Sequence, residues 1–161
     1  MADPDAALDP IARVLSLVGR WRGVSRVWFE PGKLAGEDPV EGDLSLLHGG
    51  RFAELSYRTS LKDKSIEGRI TMGYYGDRRR WEVLMIDSFH MGRGQLFSVG
   101  DSTDHGFDVL GHYPDGQGGP DWGWRTELVV AGPDAFALTA FNVMPTGDEA
   151  LATQLKLERQ R

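Results

Sequence analysis

From Arg20 onward, apolar and polar residues alternate in short runs rich in Val, Ile, Phe, Tyr and Trp, and turn residues separate the runs. A period of two with β-branched and aromatic enrichment predicts strands. They fall near 20–29, 40–48, 51–59, 65–75, 79–87, 93–100, 105–112, 122–130, 135–143 and 150–159. Most separations are brief: "GG" at 49–50, "GDRR" at 76–79, "GDSTD" at 100–104 and "AGPD" at 131–134. Such spacing predicts consecutive antiparallel hairpins, because a parallel crossover needs a dozen or more residues. "EPGKLAGEDP" at 30–39 and "PDGQGGPD" at 114–121 predict longer loops.

Ahead of the strands, "LDPIARVLSLVGR" carries a helical period. Asp9 suits the N-cap and Pro10 the first helical position. Ile11, Val14, Leu15 and Val18 share a face, and Gly19 can end the helix in a left-handed conformation. An amphipathic helix of about two turns must cover something apolar. About ten antiparallel strands also have edges to manage, and closing on themselves removes them. The expected fold is therefore all-β: an up-and-down antiparallel barrel of about ten strands, with the helix plugging one end. Eight strands leave a barrel that side chains just fill, so ten predict an interior cavity. One domain over 1–161 is expected, with 1–8 as a disordered tail.

Composition narrows the function. The chain has 161 residues, no cysteine, and 18 Lys and Arg against 24 Asp and Glu, a net charge of −6. Disulfides, thiolate metal sites and a Cys nucleophile are excluded. The acidic balance argues against nucleic acid and anionic membranes as partners, and the run Arg78, Arg79, Arg80 reads as a solvated turn. There is no apolar span of bilayer length and no signal-peptide pattern at "MADPDAALDP". A cytoplasmic location is the expectation.

"LVGRWRGVSRVWFEPG" (17–32) resembles the G-x-W entry strand of calycin barrels, the superfamily of lipocalins and fatty-acid-binding proteins. "GGRFAELSY" (49–57) and "IEGRITMGYYGDRRRWEVLMIDSFHMG" (66–92) follow in order, and together they resemble the bacterial DUF1579 family over roughly residues 12–158. That resemblance implies a fatty-acid-binding type of barrel and no assigned reaction. The nitrobindins, a related branch, bind haem through a histidine on the last strands. This chain has no histidine after His112, so the resemblance carries no haem ligation, and no cofactor is expected.

Candidate chemistry centres on "WEVLMIDSFHMGRG" (81–94). Strand alternation puts Trp81, Val83, Met85 and Asp87 on one face and Ser88 and His90 on the other. Asp87 and Ser88 point apart, and no G-x-S-x-G elbow exists, so no serine-hydrolase triad is read. An Asp87 that lines a cavity would be desolvated, with its pKa raised, and could serve as a general base or ligand anchor. Alternatively it accepts backbone amides at the strand end or caps the next turn. His90 sits either at the barrel mouth or in a solvated loop. Trp122 and Trp124 share a face beside the glycine-rich loop, where they could stack on a flat ligand.

Glu54, Glu67, Arg69, Arg125 and Glu127 interrupt strand-like runs; pointing inward they could pair or hold a carboxylate, and outward they are a solvated face. Asp101, Asp104, His105 and Asp108 lack metal-site spacing and read as a turn. "GRGQLF" (92–97) is not a dinucleotide fingerprint.

Three functions stay open. The first is a small-molecule-binding barrel for an apolar or amphipathic ligand, lined by Tyr57, Met72, Tyr74, Met85, Asp87, Phe97, Trp122, Trp124 and Asn142. The second is a cavity enzyme that uses Asp87, with His90 or Tyr57, for acid–base isomerisation or cyclisation. The third is an interaction module with a filled barrel, for instance a homodimer. No metal site is expected.

Overall fold

A computed structural model describes residues 9–161, and the expected tail at 1–8 lies outside the described residues. One helix, α1 (Pro10–Leu15), precedes ten strands. They are β1 (Gly19–Glu30), β2 (Lys33–Leu47), β3 (Phe52–Leu61), β4 (Lys64–Tyr75), β5 (Arg80–Asp87), β6 (Leu96–Thr103), β7 (Gly106–Tyr113), β8 (Trp122–Gly132), β9 (Ala135–Val143) and β10 (Glu149–Arg159). Each strand pairs antiparallel with its chain neighbours, and β1 pairs with β10, from Trp21↔Arg159 to Val27↔Thr153. The barrel is closed, as the hairpin spacing predicts. Among the described residues no helix is long and apolar enough to cross a membrane.

Three local expectations change. Residues 30–39 are not a loop: a turn at Pro31–Gly32 leads directly into β2, whose Gly36–Pro39 segment pairs with Val24–Val27 of β1. Glycine and proline there read as loop signals, but the neighbouring strand supplies partners, and the Pro39 carbonyl accepts the Thr59 hydroxyl at 2.9 Å. β6 starts at Leu96 and continues through Thr103, so the long connection is 88–95 and the β6–β7 turn is only Asp104–His105. The helix is capped as expected, with Asp9 Oδ1 accepting the Ile11 amide at 3.2 Å, but it stops at Leu15. Gly19 instead opens β1 with φ of 139°. Leu17 is then buried and Val18 is 38 % exposed.

α1 closes one end of the barrel. The turns at 48–51, 76–79, 104–105 and 133–134 share that end, and the 31–32, 62–63, 88–95, 114–121 and 144–148 connections form the other, which we call the mouth. The helix-side half is packed solid. Trp21, Trp81 and Phe107 are fully buried there with Val14, Leu17 and Met72. Trp21 meets Phe136 edge-on at 4.6 Å, and Trp81 lies 5.0 Å from Phe107. Both indoles are satisfied: Trp21 Nε1 donates to the Leu17 carbonyl at 2.8 Å and Trp81 Nε1 to Ser102 Oγ at 2.9 Å. Aromatic volume thus consumes most of the space that ten strands enclose.

Candidate functional site

What remains of the interior lies toward the mouth. A partly open cavity of about 40 Å³ is walled by Val27, Ile66, Ile70, Met85, Leu138 and Leu155. Hydroxyls of Ser25, Thr59, Thr126 and Thr153 interrupt these walls, and Tyr57, Asp87, His90 and Trp124 complete the lining. Val27, His90 and Trp124 also line a wider pocket of about 190 Å³ at the mouth, with Phe29, Met91, Tyr113 and Asn142. The two spaces therefore share a wall. The space left there is far smaller than the roomy interior that strand count predicts.

Asp87 ends the inward face of β5, as alternation places it, and its side chain is only 1 % exposed. The chain then turns back on itself. Asp87 Oδ1 accepts the amides of Phe89, at 2.8 Å, and His90, at 2.5 Å, while Oδ2 accepts His90 Nδ1, also at 2.5 Å. The turn-capping reading of Asp87 holds, and the same carboxylate fixes the His90 ring. Because 88–95 is a loop and not a continued strand, His90 swings to the same side as Asp87 instead of the opposite one. Ser88 points away, and its hydroxyl accepts the Glu67 amide at 3.0 Å.

The expected rise in the Asp87 pKa is overturned. Burial does push the carboxyl up, but the His90 ring, through its hydrogen bond and its charge, and the two backbone amides outweigh it, so the net shift is downward. Tyr57 shifts the other way: burial, then the Asp87 charge, raise its hydroxyl well above the ordinary value. The Tyr57 ring lies against Gly68, where an added Cβ would come within 2.2 Å of it.

A carboxyl whose folded pKa is depressed stabilises the protein fully above its unfolded pKa, about 4, and loses that contribution as pH falls through the lower folded value. The expected result is that wild-type protein loses more stability on acidification below about pH 4 than Asp87→Asn does, checked by urea unfolding at stepped pH. Equal slopes for the two proteins would remove this account.

Trp124 is only 6 % exposed and sits 5.4 Å from the His90 ring. Among the described residues, its Nε1 is the buried side-chain polar atom with no hydrogen-bond partner. At the rim the Tyr113 hydroxyl donates to Asn142 Oδ1 at 2.6 Å, which leaves the amide nitrogen as Asn142's donor. Burial raises the Tyr113 pKa. Phe29 of β1 and Phe89 of the 88–95 loop stack across the mouth at 6.2 Å.

The expected lining residues divide. Tyr57, Met85, Asp87 and Trp124 line the cavity, and Asn142 lines the mouth. Met72 and Tyr74 do not: Met72 is in the packed core, and Tyr74 packs on Trp81 at 5.7 Å in the helix-side half. Phe97 is 51 % exposed on the outer wall, opposite Leu84. The residues that face inward from β6 are Leu96 and Ser98. Trp122 starts β8 opposite Tyr113 and is half-buried, outside both spaces.

Glu54 pairs with Arg69 at 3.4 Å outside the barrel, and Arg125 joins Asp108, Glu127 and Glu149 there. Asp87 is thus the carboxylate that the cavity keeps. Ser25 and Thr126 were missed, yet the alternation that places Trp21 and Trp124 inward also places these hydroxyls inward.

Comparison with curated proteins finds no match. Among solved structures, the S-type phycobiliprotein lyase CPES from Guillardia theta is similar, with a TM-score of 0.50 and 14 % identity over 94 % of this chain and 90 % of that one. At that identity the likeness is one of fold. The profile described as "Protein of unknown function (DUF1579)" matches residues 12–159, nearly the span of the resemblance read from the sequence, and the chain belongs to this family.

Proposed function

We propose that the mouth of the barrel and the cavity beneath it bind a small amphipathic molecule, its apolar body against Val27, Met85 and Leu138 and a hydrogen-bond acceptor on Trp124 Nε1. The observation that carries this reading is the unpartnered indole N–H. A buried donor without an acceptor costs about 1–3 kcal/mol, and Trp21 and Trp81 both avoid that cost. A ligand acceptor would remove it.

Size limits the guest. At ~10–15 Å³ per water, the inner 40 Å³ holds about three waters, and the mouth offers about 190 Å³ more. Pockets for drug-sized ligands run from ~300 Å³ upward, so a single ring with a carbonyl or carboxylate fits this site better than a long acyl chain. The small inner volume also suits the reading in which a filled barrel works as an interaction module. A mouth pocket that carries an idle donor favours binding.

Trp124→Phe keeps the aromatic face and deletes the N–H. The expected result is a protein as stable as wild type or more so, binding cyclohex-2-enone or benzoate about tenfold more weakly, the equivalent of one hydrogen bond. Ligand-observed NMR titration and thermal unfolding check the two halves. Unchanged affinity in Trp124→Phe, or no saturable binding of any small ring carbonyl by the wild type, defeats the proposal.

A further inference from the structure

We infer that His90 is a general base in this pocket, and that the substrate class is a small β,γ-unsaturated carbonyl compound that it isomerises to the conjugated form by moving a proton between carbons. The inference rests on the binding reading above and adds a reaction to it. Both Asp87 oxygens are engaged, Oδ1 by two backbone amides and Oδ2 by the His90 ring. These bonds favour the ionised carboxylate and make it a weak base for a carbon-bound proton. Its bond to Nδ1 does something else: a carboxylate accepting there keeps the neutral ring protonated at Nδ1, and the lone pair is left on Nε2.

The remaining geometry supplies an electrophilic partner. Trp124 holds its unpartnered N–H on a ring whose centroid is 5.4 Å from that of His90, and both rings line the same two spaces. We place the substrate oxygen on Trp124 Nε1 and the carbon beside the carbonyl against His90 Nε2. Nε2 takes a proton from that carbon, the C–H electron pair becomes a carbon–carbon double bond, and the carbonyl pair moves onto oxygen as an enolate. The indole N–H meets the charge where it develops. The imidazolium, held beside the Asp87 carboxylate, then gives its proton to the γ-carbon. The β,γ double-bond pair forms the new C–H bond, the enolate double bond shifts to the α,β position, and the oxygen pair re-forms the carbonyl. Every atom is conserved and no oxidant or reductant is needed. The apolar walls and the Phe29–Phe89 pair limit water access to the intermediate.

The test uses the full chain and cyclohex-3-enone, whose conversion to the conjugated cyclohex-2-enone is followed by ultraviolet absorbance. Binding of cyclohex-2-enone is read by NMR on the same protein. Expected is conversion faster than in matched buffer, lost in His90→Gln, and reduced about a hundredfold or more in Asp87→Asn. Asp87 acts as a positioning residue. In Asp87→Asn the amide faces His90 Nδ1 with a donor, so nitrogen-15 NMR should show the ring proton shifted from Nδ1 to Nε2 while cyclohex-2-enone still binds. Binding without conversion overturns the inference and leaves the binding reading intact; no binding overturns both. Conversion that survives His90→Gln overturns the assignment to His90. A wild-type ring protonated at Nε2 alone overturns the role given to Asp87.

Discussion

Trp21→Ala is expected to destabilise the protein by about 3–5 kcal/mol, the range for removing a fully enclosed large aromatic. Trp21 is fully buried and gathers four separate parts of the chain. Its Nε1 holds the Leu17 carbonyl just after α1, its ring edge meets Phe136 of β9 at 4.6 Å, and the Arg159 guanidinium of β10 lies over its face at 4.5 Å. Arg159 in turn donates to the carbonyls of Ser16, Val18 and Pro133. Alanine leaves a void, an orphaned carbonyl and an arginine with nothing beneath it. Urea unfolding gives the number, with Trp122→Ala, at a half-buried site, as a comparison expected to lose less than half as much. A loss under about 1 kcal/mol for Trp21→Ala would show that this contact set is not the pivot of the helix-side core.

Gly23→Ala, the addition of one methyl group, is expected to cost about 3 kcal/mol or more. Overpacking costs ~1–3 kcal/mol where side chains can move aside, and here the obstacle is main chain. A Cβ on Gly23 would stand 1.8 Å from the Lys156 carbonyl oxygen and 2.8 Å from its carbon. Gly23 pairs with Leu157 in the ladder between β1 and β10, so relief requires those strands to part where the barrel closes. Thermal unfolding measures the loss, and hydrogen exchange should show β1 and β10 amides affected first. Gly76→Ala, where a Cβ meets nothing within 4 Å, should stay within about 0.5 kcal/mol of wild type. Equal effects at the two glycines would refute the close approach.

The strands were legible because period-two alternation and turn residues are local signals, and closure followed from the need to hide edges. The exceptions were places where partners decide. Residues 33–39 look like a loop, yet β1 beside them makes them a strand. The size of the cavity was not legible, because it depends on how Trp21, Trp81, Phe107 and Phe136 interlock, and that is set by packing across strands remote in sequence. At the site, alternation placed Asp87 and Trp124 inward. It could not show the 88–95 loop curling back to bring two amides and His90 onto Asp87, and that curl lowers the carboxyl's pKa where burial alone would raise it. Nor does a sequence show that an indole lacks an acceptor.

The pairing of β1 with β10 also sets a schedule. Residues 21–27 find their final partners in residues 153–159, so a nascent chain emerging from the ribosome must keep β1 waiting until β10 has been made. Contacts between such distant stretches slow folding, and the unpartnered flank of β1 is the surface that a chaperone would meet during synthesis.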